Sequence, residues 1–368
     1  MSLPLHQRGA LEELRQEFGF DPEHLRLFRN ALYKRGLPLE EAQALLPPTV
    51  HEEFRARFGQ PCLTLAERRD SSRDGATKLV FRTQAGLLLE TVILRILSGR
   101  TSVCVSSQVG CAAKCAFCAT GQMKLARSLR AHEIIEQALI ARQILRTEDK
   151  TLRNVVFMGM GEPMHNRAEV TEAIERLRDP RWLDLSESHI LVSSVGVPEE
   201  LIAFARVMPR VRLALSLHAA RQEVRQELMP LAKQTPIDDL RKMVVELEKI
   251  RKQTMMLEVL LLSGVNDRDE DVEALIEFCE GLDVHVNLIP YNPVSGAELP
   301  GGRPLRGTDS RRRQKISERL KSVGLRVTTR VSLGEDIAAA CGQLVKTHEP
   351  RALGRRASEV SGPTSAQE

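Results

Sequence analysis

Four cysteines crowd into the stretch "CVSSQVGCAAKCAFCATGQM" at residues 104–123: Cys104, Cys111, Cys115 and Cys118. The last three have the spacing C-x3-C-x2-C, and thiols so close in sequence are suited to gripping metal. A cubane iron-sulfur cluster takes one thiolate per iron, so three cysteines leave one iron open to a small molecule. Gly110, next to the first, permits an unusual backbone path. Structural zinc asks for four Cys or His ligands, usually as two paired knuckles. No second C-x2-C or H-x3-H pair is present. The donor count therefore favours iron-sulfur chemistry, with a zinc-stabilised RNA-binding protein as the alternative.

A lone cysteine, Cys341 in "DIAAACGQL", reads from its surroundings as a small buried hydrophobe. Cys62 and Cys279 lie outside every motif and read as structural. In a reducing compartment, clustered cysteines are metal ligands or catalysts more often than disulfides. The start "MSLPLHQRGALEEL" lacks the apolar core of a secretory signal, and no run approaches the ~20 apolar residues of a membrane span. A cytoplasmic location is expected. The formal charge of +4, from 53 Lys and Arg against 49 Asp and Glu, suits an anionic partner only weakly.

With 368 residues, 42% of them apolar, the chain can bury the core of a large α/β domain beside a smaller one. Residues 1–65 read as a small helical domain, in which Leu25, Phe28 and Leu32 share a face and Gly36 ends the stretch. Its basic residues, Arg26, Arg29, Lys34 and Arg35, suit either RNA or a solvated face. Residues 66–100 read as a β-hairpin linker turning at Ala85-Gly86, with Glu90 inside its second strand. From 101 to 346 short apolar strands alternate with helical segments such as "AHEIIEQALIARQIL", whose Ile134, Ala138, Ala141 and Leu145 form one stripe. That rhythm predicts a parallel sheet of about six right-handed units, an open or partial α/β barrel. Residues 347–368 read as a disordered tail.

Ligands of such sheets bind at the carboxyl ends of the strands. The cysteine loop, "GMGEP", Ser193-Ser194, "SLH" and "PYNP" each follow a predicted strand, which gathers five polar or glycine-rich tips around one site.

The three cysteines, Phe117 before the third, and "GMGEP" resemble the radical S-adenosylmethionine superfamily. The longer strings "CVSSQVGCAAKCAFCATGQ", "VFMGMGEPMHN", "LSLHA", "GVND", "HVNLIPYNP" and "GEDIAAACGQL" are similar to the RlmN/Cfr family of adenine-specific RNA methyltransferases, from about Leu11 to Leu344. The resemblance implies a partial (β/α)6 TIM-like barrel of the radical-SAM type and a 4Fe-4S cluster on Cys111, Cys115 and Cys118. It implies that S-adenosylmethionine is held by Gly161, Glu162, Ser193, Ser216, Leu217, His218 and Asn292.

An adenine C2 or C8 carbon is electrophilic and cannot displace a methyl group from a sulfonium directly, so the cofactor must supply radical chemistry. By the resemblance, Cys341 carries the methyl as an S-methylcysteine intermediate and Cys104 resolves the RNA adduct through a transient disulfide with it. Glu90 is the proton acceptor. The implied substrate is an adenosine of 23S rRNA at the peptidyl-transferase centre, with tRNA as a further target. An electron donor such as flavodoxin or ferredoxin and a monomeric state complete the expectation. "GEP" with Pro163, and "SSQVGC", lean toward the C2 type over the C8 type.

Overall fold

A computed structural model describes residues 4–96, 98–251 and 253–344. The expected tail at 347–368, with residues 345–346 before it, lies outside the described residues.

The chain opens with helices α1 (Ala10–Phe18), α2 (Pro22–Arg29), α3 (Leu39–Gln43) and α4 (His51–Phe58). Helix α2 starts where it does because the Asp21 carboxylate accepts the Glu23 N–H at 2.8 Å and Pro22 fills the first position, where an N–H has no partner anyway. Leu25, Phe28 and Leu32 are buried as their spacing requires, Leu32 within a π-turn, Asn30–Lys34, that prolongs the helix. These helices are fastened to the body of the protein. Arg142 donates to the Tyr33 carbonyl at 2.7 Å; Arg176 donates to the His6 carbonyl at 2.7 Å and lies 5.0 Å over the Trp182 ring. Two of the basic residues are engaged within the protein, Arg26 by Glu23 and Lys34 by Asp184 at 3.4 Å.

One ten-stranded sheet runs in chain order: β1 (Leu63–Asp70), β2 (Ala76–Thr83), β3 (Leu88–Arg95), β4 (Thr101–Cys104), β5 (Asn154–Phe157), β6 (Ile190–Ser194), β7 (Arg212–Ser216), β8 (Met255–Leu261), β9 (Val284–Pro290) and β10 (Arg326–Thr329). From β4 to β10 all pairings are parallel. The six crossovers carry α5 (Ala131–Arg146), α6 (Arg167–Arg178), α7 (Pro198–Val207), the pair α8 (Gln222–Leu228) and α9 (Ile237–Ile250), α10 (Asp269–Cys279) and α11 (Ser310–Ser322). This is the partial barrel of six units, open because the order is linear. The α5 stripe of Ile134, Ala138, Ala141 and Leu145 is fully buried against the sheet. Each such Ile or Leu contributes about 1.5–3 kcal/mol.

The hairpin at Ala85-Gly86 joins β2 and β3, and it is an extension of the main sheet: β3 pairs antiparallel with β4, setting Val92 opposite Cys104. Strand β1 precedes it, where helix or linker was expected. Its signal in sequence is faint because only Leu63 of its eight residues is buried, so no apolar alternation marks it.

Candidate active site

The loop after β4 is pinched at its neck by a ribbon pairing Gln108–Val109 with Arg127–Ser128. Inside it the backbone turns tighter than a side chain allows. Gly110 has φ +81° and a Cβ there would meet the Lys124 carbonyl at 2.2 Å; one at Gly121 would meet the Cys115 carbonyl at 2.7 Å. The folded loop buries Cys115 and half-buries Cys111 and Cys118.

Burial pushes the Cys111 thiol up to about 12 and raises Cys115 and Cys118 as well, and the charges of Cys118 and Cys111 raise Cys115 further. Backbone N–H groups of Ala113 and Lys114 at Cys111, and of Thr120 and Gly121 at Cys118, pull the other way. Three desolvated, mutually repelling thiols with amides aimed at two of them ionise together when cationic iron sits among them, and this donor set fits a cluster. Among the described residues no three His, Cys, Asp or Glu side chains are grouped as the ligands of a metal ion. A cubane spreads its demand, one thiolate to each iron.

Around the loop stand the other strand ends. Gly161, at φ +96°, passes so close to Gln108 that a Cβ would lie 2.5 Å from that side chain, while Gln108 accepts the Glu162 N–H at 2.9 Å. Glu162 is buried, which raises its carboxyl, and its two oxygens accept the N–H groups of Met164 and Val195, each at 2.9 Å. It thereby staples the loop after β5 to the end of β6. Ser193 at the end of β6 meets the Ser216 hydroxyl at 3.1 Å and donates to Glu258 at 2.9 Å.

His218 holds a left-handed backbone, φ +60°, and stacks edge-on to Phe117 with centroids 4.7 Å apart. Its Nδ1 accepts the Leu260 N–H at 3.1 Å, and burial followed by the Arg225 charge lowers it to about 3, so the ring is neutral. Asn292 donates to the Cys341 carbonyl at 3.1 Å. A cavity is lined by Phe117, Cys118, Gly161, Glu162, Ser193, Ser216, His218, Asn292 and Cys341. Leu217 is not on its wall. That side chain is in the core, and its backbone N–H donates to the Glu258 carbonyl at 3.1 Å.

Cys341 is exposed, contrary to its reading as a buried hydrophobe, and it lines two cavities. The second, of about 630 Å³, lies between β3, β4 and the segment after β10, and Cys104 is on its wall. Burial pushes the Cys104 thiol up to about 12. All seven cysteines are free, so no disulfide joins Cys104 to Cys341 here. Glu90 is wholly buried and faces neither cavity; it is paired at 3.4 Å with Lys78. Cys62 and Cys279 are buried in the core.

Two residues of this region carried no motif. Glu258 sits in the middle of β8 with its Oε1 unsatisfied, and the only hint of it is a lone carboxylate in the apolar run "MMLEVLLL". Arg330 follows β10 and lines both cavities.

Fold and cysteine loop together define a radical SAM enzyme, and the family model described as the radical SAM superfamily matches residues 105–279. The chain is 44% identical to a probable RNA methyltransferase of Rhodopirellula baltica over 97% of its own length and 92% of that protein's. It is 39% identical to a dual-specificity RNA methyltransferase RlmN of Myxococcus xanthus, with 98% and 96% covered. The crystal structure of a radical SAM methyltransferase from Sphaerobacter thermophilus superposes with a TM-score of 0.86 at 35% identity, covering 94% of this chain and 99% of that one. The chain belongs to the RlmN family of radical SAM RNA methyltransferases. Its cofactors are a 4Fe-4S cluster and S-adenosylmethionine.

Proposed function

We propose that this enzyme methylates C2 of an adenosine in 23S rRNA, and in tRNA, with Cys341 as the methyl carrier. The observation that carries the reading is the position of Cys341 on the wall common to two cavities, one bordered by Cys118 and the strand tips, the other by Cys104. A sulfur so placed can take a methyl group on one side and present it to a base on the other.

When bound, the cluster and S-adenosylmethionine supply the methyl group and the radical chemistry that an electrophilic adenine carbon demands. Cys111, Cys115 and Cys118 would hold the cluster. Gly161 leaves room for close approach of the cofactor's methionine end, and Glu162, Ser193, Ser216, His218 and Asn292 line its place; Leu217 lies behind them, its backbone N–H bonded to the Glu258 carbonyl and its carbonyl to Arg225. The neutral His218 and Phe117, set edge to face, form an apolar corner suited to an adenosyl group. Cys104, across the second cavity, frees the product from the Cys341 sulfur by thiol chemistry. Glu90 is the proton acceptor of this reading, reached through intervening groups, since its carboxylate is on neither cavity wall and is paired with Lys78. The base enters the second cavity unstacked from its neighbours. Free thiols suit a cytoplasmic enzyme reset by a cellular reductant.

Anaerobic incubation with S-adenosylmethionine, a reductant and unmodified ribosomal RNA, followed by nucleoside mass spectrometry, tests this. 2-Methyladenosine is expected. 8-Methyladenosine alone, or no methylated adenosine, overturns it.

A further inference from the structure

Among the described residues, Arg330 is the cation that lines both cavities, with Arg73, Arg95 and Arg100 on the wall of the second alone. Arg330 leaves the end of β10, its backbone N–H anchored on the Leu288 carbonyl at 2.8 Å, and its side chain lines both cavities in company with Cys341, Met158 and Ile289. One Nη donates toward the Met158 sulfur at 3.8 Å and lies 3.9 Å from Glu258 Oε1. That oxygen has no hydrogen-bond partner, while the other is engaged by Ser193. Glu258 thus holds the guanidinium by charge at a distance and leaves its donors directed at the cavities. An arginine with so few local acceptors, set between two thiols, is arranged to receive an anion.

We propose that Arg330 is the positioning cation of the thiol pair, its guanidinium serving as the shared counter-ion for the thiolates of Cys341 and Cys104, with Glu258 fixing its place. The inference rests on the proposed roles of those two cysteines. A charge at Cys341 is the main influence raising Arg330, against burial, with Glu258 and Cys104 adding to it. In return Arg330 lowers Cys104, which burial otherwise pushes up to about 12. Both thiols must act as nucleophiles, and only the thiolate is one. A single cation that serves whichever sulfur is ionised stabilises one negative charge at a time. Two thiolates facing each other across that cavity repel.

The test is per-residue alkylation of the reconstituted full-length enzyme, read by peptide mass spectrometry, with neutral iodoacetamide and anionic iodoacetate. Arg330→Met is expected to slow alkylation of Cys341 about tenfold, since the neighbouring cation that favours an anionic sulfur there is gone. It is also expected to lower the iodoacetate-to-iodoacetamide ratio at least twofold, because the anionic reagent loses its attraction. Arg330→Lys should restore most of both. An unchanged ratio in a folded Arg330→Met protein overturns the proposal, whether or not the rate falls, because steric loosening does not distinguish the two reagents. Should Arg330→Met fail to fold, Glu258→Gln decides: freeing the guanidinium from its carboxylate should raise the ratio at least twofold, and an unchanged or lower ratio overturns the proposal. Altered ratios alongside absent methyladenosine would leave this inference standing and remove the proposed function instead.

Discussion

Lys78 and Glu90 meet at 3.4 Å on adjacent antiparallel strands with neither side chain exposed, and the same ammonium donates to the Ala338 carbonyl at 3.1 Å, three residues before Cys341. Burial lowers Lys78, and the Glu90 charge opposes that shift. The segment after β10 is bound to the same sheet extension elsewhere. Asp336 accepts the Ser71 hydroxyl at 2.8 Å, and the Gly334 N–H reaches Asp74 at 2.7 Å. At its far end the Gly342 carbonyl accepts the Ala119 N–H at 2.7 Å, next to Cys118. The segment therefore ties β1–β3 to the cysteine loop, and Cys341 sits where it crosses.

Removing one member of that pair leaves a buried charge. Lys78→Met is expected to cost about 3–5 kcal/mol in urea denaturation, and the double variant Lys78→Met/Glu90→Gln to regain more than half of it. A double variant as unstable as the single one would show that packing, and not charge, sets the cost.

Acid should weaken the attachment of the N-terminal helices. His6 is buried against Tyr33 at 3.1 Å and burial, His132 and Arg176 lower it to about 3. Between pH 6.5 and 3 the unfolded chain binds a proton here that the folded chain does not, so stability falls as pH drops through that window. Glu136, raised to about 7 by burial, acts with the opposite sign. Comparing the protein with a His6→Gln variant cancels that background. Between pH 7 and 5 the original should lose about 2 kcal/mol more than the variant. Equal losses would mean that His6 takes up its proton as readily in the folded chain as in the unfolded one.

Gly161 is the most sterically constrained of the proposed cofactor contacts. Its positive φ and the 2.5 Å approach of a Cβ to Gln108 mean that Gly161→Ala must displace the loop after β5. Equilibrium dialysis of the reconstituted enzyme should show S-adenosylmethionine bound at least about tenfold more weakly, equivalent to about 1.4 kcal/mol. Iron content should be unchanged, because the loop after β5 takes up the strain and Gln108, at the neck of the cysteine loop, stays in place. A loss of iron would mean that the two loops fold as one unit.

The parallel strands were legible because each is a short apolar run with a polar or glycine tip, a pattern that burial on both faces imposes. The cysteine loop was legible from spacing alone. Lys78 was not: it occupies a polar position in the alternation of β2, and its burial comes from a segment 260 residues onward that folds across it. Glu258 and Arg330 belong to opposite ends of one site, on β8 and after β10, and neither residue type at its position is unusual until the parallel sheet brings them to 3.9 Å. Leu217 shows the converse, since its neighbours in "SLH" reach the cavity while its own side chain turns into the core.

The separation of Cys104 from the cluster ligands sets up the last prediction. Cys104 is on the wall of the second cavity with Cys341, and Cys111 and Cys115 are on neither wall. A product joined to the Cys341 sulfur would lie in that second cavity, within reach of Cys104 alone among the remaining thiols. Cys104→Ala should therefore accumulate a covalent enzyme-RNA species, visible as a slower band on a denaturing gel and removed by nuclease. Cys341→Ala should give neither the band nor methylated RNA while retaining about four irons per chain. The double variant Cys104→Ala/Cys341→Ala should behave as Cys341→Ala does, since release cannot matter before attachment. A shifted band in the double variant would assign the covalent link to a different residue, and its absence from Cys104→Ala would remove the resolving role.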